Sequence, residues 1–165
     1  MVIIIFGYGT LIPMNYQKFP IVAEINGYKR IYHDSELFGF PFPFAIKKEN
    51  ASMRGILMVE TEEGLSYWDT YEGYPSFYDR KLVPVEVIAD KQGLLPSTPL
   101  EGFHAWLYVP SHSTESLRLD NIFKMMKRQD RESYDEMMEK DTWVEKMARD
   151  NPELVEALPE LFVDS

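Results

Sequence analysis

Val2-Ile3-Ile4-Ile5-Phe6-Gly7-Tyr8-Gly9-Thr10-Leu11 is the stretch on which the fold turns. An unbroken β-branched and aromatic run from Val2 to Phe6 is the pattern of a buried strand. No basic region precedes it, and it is far too short for a leader segment or a membrane span. The expectation is a soluble, cytoplasmic protein. The strand ends at glycine, which lets the backbone turn sharply and leaves N–H groups pointing outward as a cradle for an anion or oxyanion. A simple glycine-rich turn is the other reading. Two nucleotide motifs fail here: the dinucleotide fingerprint needs glycine where Ile12 stands, and a P-loop needs Gly-Lys-Ser/Thr.

Outward from this strand the composition is that of a folded domain: 165 residues, 45% hydrophobic and 27% charged, with a net charge of −10. That charge speaks against a nucleic-acid partner. The absence of cysteine removes disulfides, thiolate nucleophiles and cysteine-held metals together. His33, His104 and His112 lack metal-ligand spacing. No Gly-x-Ser-x-Gly elbow occurs, which disfavours a serine hydrolase.

Strand patterns recur at Gly55–Glu60, Arg80–Ile88 and Ala105–Val109, with Pro84 pointing to an edge or a bulge in the second of these. Thr61–Trp68 reads as a short helix. The apolar run Leu37–Phe44 reads as a core-covering loop, with a pocket wall as the second reading. From Asp130 onward there are twelve acidic and four basic residues, so the last fifth holds −8 of the charge. A composition shift near Pro110–Ser113 therefore separates residues 1–112 from an acidic helical extension, 113–165. Ser113 can cap a helix carrying Leu117, Ile122, Met125 and Met126. Tyr134, Met137, Met138, Val144, Met147 and Ala148 form a second stripe. Asn151-Pro152-Glu153 starts a last helix that Pro159 stops.

The second stretch with chemical promise is Trp68-Asp69-Thr70-Tyr71-Glu72-Gly73-Tyr74-Pro75, followed by Tyr78-Asp79-Arg80. Gly73 and Pro75 end any helix just after Glu72. A carboxylate at such an end, among aromatic rings, can be desolvated into a base that works near neutrality. A solvated glutamate before a turn is the plainer alternative. Asp69 reads as structural.

Together these stretches resemble the γ-glutamylcyclotransferase-like (AIG2-like) family over about residues 1–110. Tyr8-Gly9-Thr10-Leu11 is similar to its YGSL-type loop, and Arg54-Gly55-Ile56-Leu57 to its central strand. Asp69 to Gly73 is similar to its D-x-x-E-G segment, and Tyr78-x-Arg80 to the Y-x-R that follows. Ala105–Val109 stands where the family's last strand closes the fold. Trp68 replaces the usual leucine, Gln92–Gly102 lengthens a hairpin, and the helices after Thr114 are an addition.

The resemblance implies an α+β fold, a small mixed β-barrel with flanking helices and an added C-terminal helical extension. It makes Glu72 the general acid/base and Tyr8, Gly9, Thr10 and Leu11 the substrate loop, with Tyr78 on the cavity wall. The implied reaction converts a γ-glutamyl amine or γ-glutamyl amino acid to 5-oxoproline and a free amine, with no cofactor and no metal. A catalytically silent binding or assembly module of the same fold is the alternative. For the extension, the expectation is packing of its first helix on the barrel and a homodimer built by the remaining helices.

Overall fold

The computed structural model describes residues 2–111 and 115–162. Five strands form a sheet in the order β1 (Ile3–Gly7), β3 (Phe44–Glu60), β2 (Ile21–Ile31), β4 (Tyr78–Asp90), β5 (Phe103–Pro110), closed into a barrel. Neighbouring strands pair antiparallel, and one parallel contact, Ile5 opposite Trp106, joins β5 to β1. The α+β barrel with flanking helices is thus the fold the sequence led us to expect.

The unbroken apolar run of β1 has a physical cause. Ile4 and Phe6 face a core inside the barrel, with Ala23, Leu57 and Leu107, while Ile5 belongs to a second core outside it, with Val22 and Ile56. A strand clamped between two cores has no solvent face to alternate with.

β2 escapes the sequence patterns, as does the first half of β3. Gly27 bulges out of β2 at φ +84°, and the chain then runs through Lys29 and Arg30, so alternation is lost. Opposite it, residues 48–51 of β3 stand out of register between Lys47 and Ser52 and are largely exposed. Pro84 sits where only β5 flanks β4, because pairing with β2 begins at Glu86. Its missing N–H costs no ladder bond on that open side.

Helix α1 (Leu11–Asn15) follows the glycine turn directly, and α2 (Glu62–Glu72) runs between β3 and β4. Thr61 caps α2 by accepting the Gly64 N–H at 3.1 Å, with Glu62 and Glu63 in the first turn where the helix dipole favours them. The helix runs a full turn past Trp68, to Glu72.

The C-terminal segment forms α3 (Glu115–Gln129), α4 (Arg131–Glu139), α5 (Thr142–Asp150), α6 (Pro152–Ala157) and a closing 3-10 turn, Pro159–Phe162. His112 and the Ser113 cap fall outside the described residues. The stripe read as one amphipathic unit breaks in two at Lys140, where Asp141 starts α5 by accepting the Val144 N–H. Asn151 precedes Pro152 as expected but does not cap α6. Its amide instead donates to the Met147 carbonyl, closing α5.

On α3, Leu119 and Met126 are buried while Leu117 and Met125, read as part of its apolar stripe, stay exposed. The apolar faces of α4 to α6 are turned into the chain. Met137, Trp143, Met147, Leu154, Leu158 and Leu161 are all buried in the outer core with Ile5, Val22, Ile31 and Ile56. Polar ties fasten the same layer: Arg54 donates to the Glu160 carbonyl, and Thr142 to the Tyr32 carbonyl. The stripes that suggested a homodimer are therefore covered by the chain's own barrel. Among the described residues, no helix is long and apolar enough to cross a membrane.

Candidate active site

A cavity of about 420 Å³ opens at the end of the barrel where β1 turns into α1. Tyr8, Gly9, Thr10 and Leu11 form one wall, and Thr70, Tyr71, Glu72 and Gly73 face them from the end of α2. Phe42, Pro43, Phe77, Tyr78 and Tyr108 complete the lining. All six residues singled out from the sequence, Glu72 and Tyr78 included, meet at this one place.

The glycine loop takes its position from the strand beside it. A Cβ on Gly55 of β3 would lie 2.3 Å from the Gly7 carbonyl oxygen and 2.8 Å from the Phe6 ring. Only glycine lets β3 pass that close to the end of β1. The Tyr8 hydroxyl donates to the Tyr108 carbonyl at 2.7 Å and accepts the Ala45 N–H at 3.3 Å, tying the loop to β5 and β3. Burial pushes this phenol well above its ordinary pKa, with the Glu72 charge adding to the effect. It stays neutral. The N–H groups of Gly9, Thr10 and Leu11 take no acceptor among the described residues.

Glu72 owes its place to a turn and an ion pair. Gly73 adopts φ +74° and donates to the Asp69 and Thr70 carbonyls, ending α2 one residue beyond Glu72. One helical turn earlier, Asp69 is gripped by Arg80, whose Nε and Nη2 reach Oδ1 and Oδ2 at 2.9 and 3.3 Å. Tyr108 also donates to Asp69, at 2.8 Å, and the Arg80 guanidinium is sandwiched by the Trp106 and Tyr74 rings. Asp69 is structural, as the sequence suggested.

No hydrogen bond or ion pair holds the Glu72 carboxylate among the described residues. Desolvation raises its pKa from 4.5 to about 7. A carboxyl of that strength gains and loses a proton readily at neutral pH, which suits a general acid/base. Tyr78 stacks on Phe44 with ring centroids 5.6 Å apart, and its hydroxyl likewise finds no described protein partner. At the rim the Thr10 and Tyr71 hydroxyls lie 3.1 Å apart, joining the two walls.

Sequence reading missed Tyr108, Tyr71, Thr70 and Phe77. Tyr108 carried a signal, since period-2 alternation along Ala105–Val109 sets it on the opposite face from the interior residues Leu107 and Ala105. The phenylalanine-rich run serves both readings: Phe38, Phe40 and Phe44 are buried in the outer core, while Phe42 and Pro43 line the cavity. His33 pairs with Glu136, and His104 lies on β5 opposite Pro84. Among the described residues, no three His, Asp or Glu side chains come together as metal ligands would.

Residues 5–136 match the family described as gamma-glutamyl cyclotransferase, AIG2-like. An AIG2-like protein from Mus musculus of known structure is 17% identical, with a TM-score of 0.51, over 70% of this chain and 82% of that one. A structure described as gamma-glutamyl cyclotransferase is 13% identical at a TM-score of 0.48, over 86% and 89% of the two chains. YkqA from Bacillus subtilis is 17% identical at 0.49, over 90% of this chain and 54% of its own. At these identities the likeness is one of fold. No curated protein matches the sequence.

Proposed function

The chain belongs to the gamma-glutamyl cyclotransferase, AIG2-like family, and we propose that it cyclises a γ-glutamyl amine or γ-glutamyl amino acid to 5-oxoproline, with Glu72 as the general acid/base. The observation that carries this reading is Glu72 itself: unpartnered, half-buried, brought to about pH 7 by desolvation, and facing unclaimed backbone N–H groups across one cavity.

A γ-glutamyl group contains its own nucleophile. Its α-amine can reach the γ-carbonyl carbon to close a five-membered ring, provided the chain is held folded. Holding it so is worth a large effective molarity, and the aromatic walls of Phe42, Phe77 and Tyr78 supply the confinement. Ionised Glu72 takes a proton from the α-ammonium, freeing the lone pair. As the C–N bond of the ring forms, the carbonyl oxygen becomes an oxyanion, which the N–H groups of the Tyr8–Leu11 loop stabilise. The adduct collapses when the old C–N bond breaks and protonated Glu72 donates to the departing nitrogen. A second proton, from the ring nitrogen, follows the same route. The leaving group departs as an ammonium ion, 5-oxoproline keeps one N–H, and Glu72 is again a carboxylate.

Mass-spectrometric detection of 5-oxoproline from a panel of γ-glutamyl amines and γ-glutamyl amino acids tests the reading. Release that depends on Glu72 supports it. Tight binding of panel members with no release would favour the silent binding module.

A further inference from the structure

Arg30 is buried on β2, with its side chain only 1% exposed, and it does not line the cavity. A guanidinium at such depth is tolerated only when its N–H groups are well paired. Nη1 donates to the Tyr8 carbonyl at 2.6 Å, Nη2 to the Arg54 carbonyl at 2.6 Å, and Nε to Asp141 Oδ2 at 3.0 Å. The Tyr8 carbonyl is the other half of the peptide group that carries the Gly9 N–H. That bond is trans, so the carbonyl pointing at Arg30 fixes the N–H in the opposite direction. A cation on the oxygen also draws electron density through the amide, making the N–H a stronger donor. Asp141 neutralises the guanidinium with one oxygen and starts α5 with the other.

We propose that Arg30 is a positioning residue for the reaction: it orients and polarises the Tyr8–Gly9 peptide so that the Gly9 N–H meets the oxyanion, with its charge balanced by Asp141 from the C-terminal helices. This rests on the cyclotransferase reading above and extends it. It makes the helical layer a participant in the site, since the counter-charge of a buried catalytic support comes from α5.

The test compares Arg30→Met and Arg30→Lys with Arg54→Met in the full chain. Arg54 is a structural control, a neighbouring arginine that fastens Glu24 and the Glu160 carbonyl with no side-chain contact to the loop. For Arg30→Met the expected result is a fall in kcat of about tenfold or more. KM stays within about threefold, the pH profile keeps its limb near 7, and the Gly9 amide proton moves upfield by NMR. Arg30→Lys recovers part of both changes. Arg54→Met loses thermal stability yet keeps kcat and the Gly9 resonance. An unmoved Gly9 resonance, or activity lost in step with melting temperature in both arginine variants, overturns the proposal. If Arg30→Met does not fold, Arg30→Lys reads the same resonance. Should the unaltered protein release no 5-oxoproline, the cyclotransferase reading fails, while the Gly9 resonance still decides whether Arg30 polarises that peptide.

Discussion

The two walls of the cavity are built by opposite means. The Tyr8–Leu11 wall is over-determined: a buried guanidinium on the Tyr8 carbonyl, a phenol bonded on both sides, and a neighbouring strand that tolerates only glycine at residue 55. The α2 wall presents a carboxylate that no described group holds, though the backbone beneath it is locked by Gly73 and the Asp69–Arg80 pair. The contrast separates two tasks. A group that stabilises developing charge works best when it is already fixed, because nothing then has to reorganise. A group that must change its own charge is impeded by any partner that prefers one state.

Removing the free carboxylate should have the largest effect. Glu72→Gln is expected to slow 5-oxoproline release by about a hundredfold to ten-thousandfold, with circular dichroism unchanged. Near-normal turnover would dissolve the contrast between the walls.

The pH dependence sharpens the same point. Activity, read as kcat/KM, should rise with pH through about 7, as Glu72 loses the proton that prevents it from acting as a base. Stability should move the other way. The native pKa lies above the ordinary value of 4.5, so the folded state holds more protons between those two pH values. The favourable contribution of neutral Glu72 is full below about 4.5 and is lost as pH rises through about 7. Glu72→Gln stays neutral throughout, so its stability relative to the unaltered protein should climb across that window and then level off. Urea titrations at several pH values would show this, and a flat difference would count against desolvation.

On the fixed wall, Gly55→Ala pushes a methyl against the Gly7 carbonyl and the Phe6 ring. Overpacking of this kind costs about 1–3 kcal/mol, measurable by chemical denaturation, and activity should fall with the displaced loop. Full stability in this variant would mean that β3 can shift away at no cost.

Tyr78→Phe should have the smallest effect. The stack on Phe44 survives, so melting temperature should hold. With a hydroxyl that bonds substrate, its loss is expected to raise KM by about two- to tenfold; with one that orients Glu72, kcat falls instead. A change in stability instead of either would make the hydroxyl structural.

Much of this site was legible because its signals are local. A buried strand breaking at glycine, and a glutamate one residue before a helix-ending glycine, each state their geometry within a few positions. β2 was not legible, since Gly27 and the Lys29-Arg30 pair interrupt the alternation that marks a strand. Arg30 gave no sign of its role either: its counter-charge lies 111 residues away, and a lone arginine in sequence reads as surface. Apolar stripes on α4 to α6 announced burial without saying against what, because a stripe looks the same whether its own barrel or another copy covers it. Asn151 followed the capping pattern and was diverted by a nearer acceptor, the Met147 carbonyl.

The single parallel contact between β1 and β5 has a consequence for how the proposed site comes together. The Tyr8–Tyr108 hydrogen bond that accompanies it spans 100 positions. Pairing of β4 with β5 joins nearer segments, and contacts of short span form early, whereas the ends of the ring meet only after the entropy of a long loop is overcome. Until then Glu72 sits in water, and a carboxyl in water is an ordinary acid. During refolding, far-UV circular dichroism should therefore recover before 5-oxoproline release does. The walls that desolvate Glu72 come from both ends of the ring, so its rise to about 7 is expected only once the barrel has closed and there is somewhere for a substrate to bind.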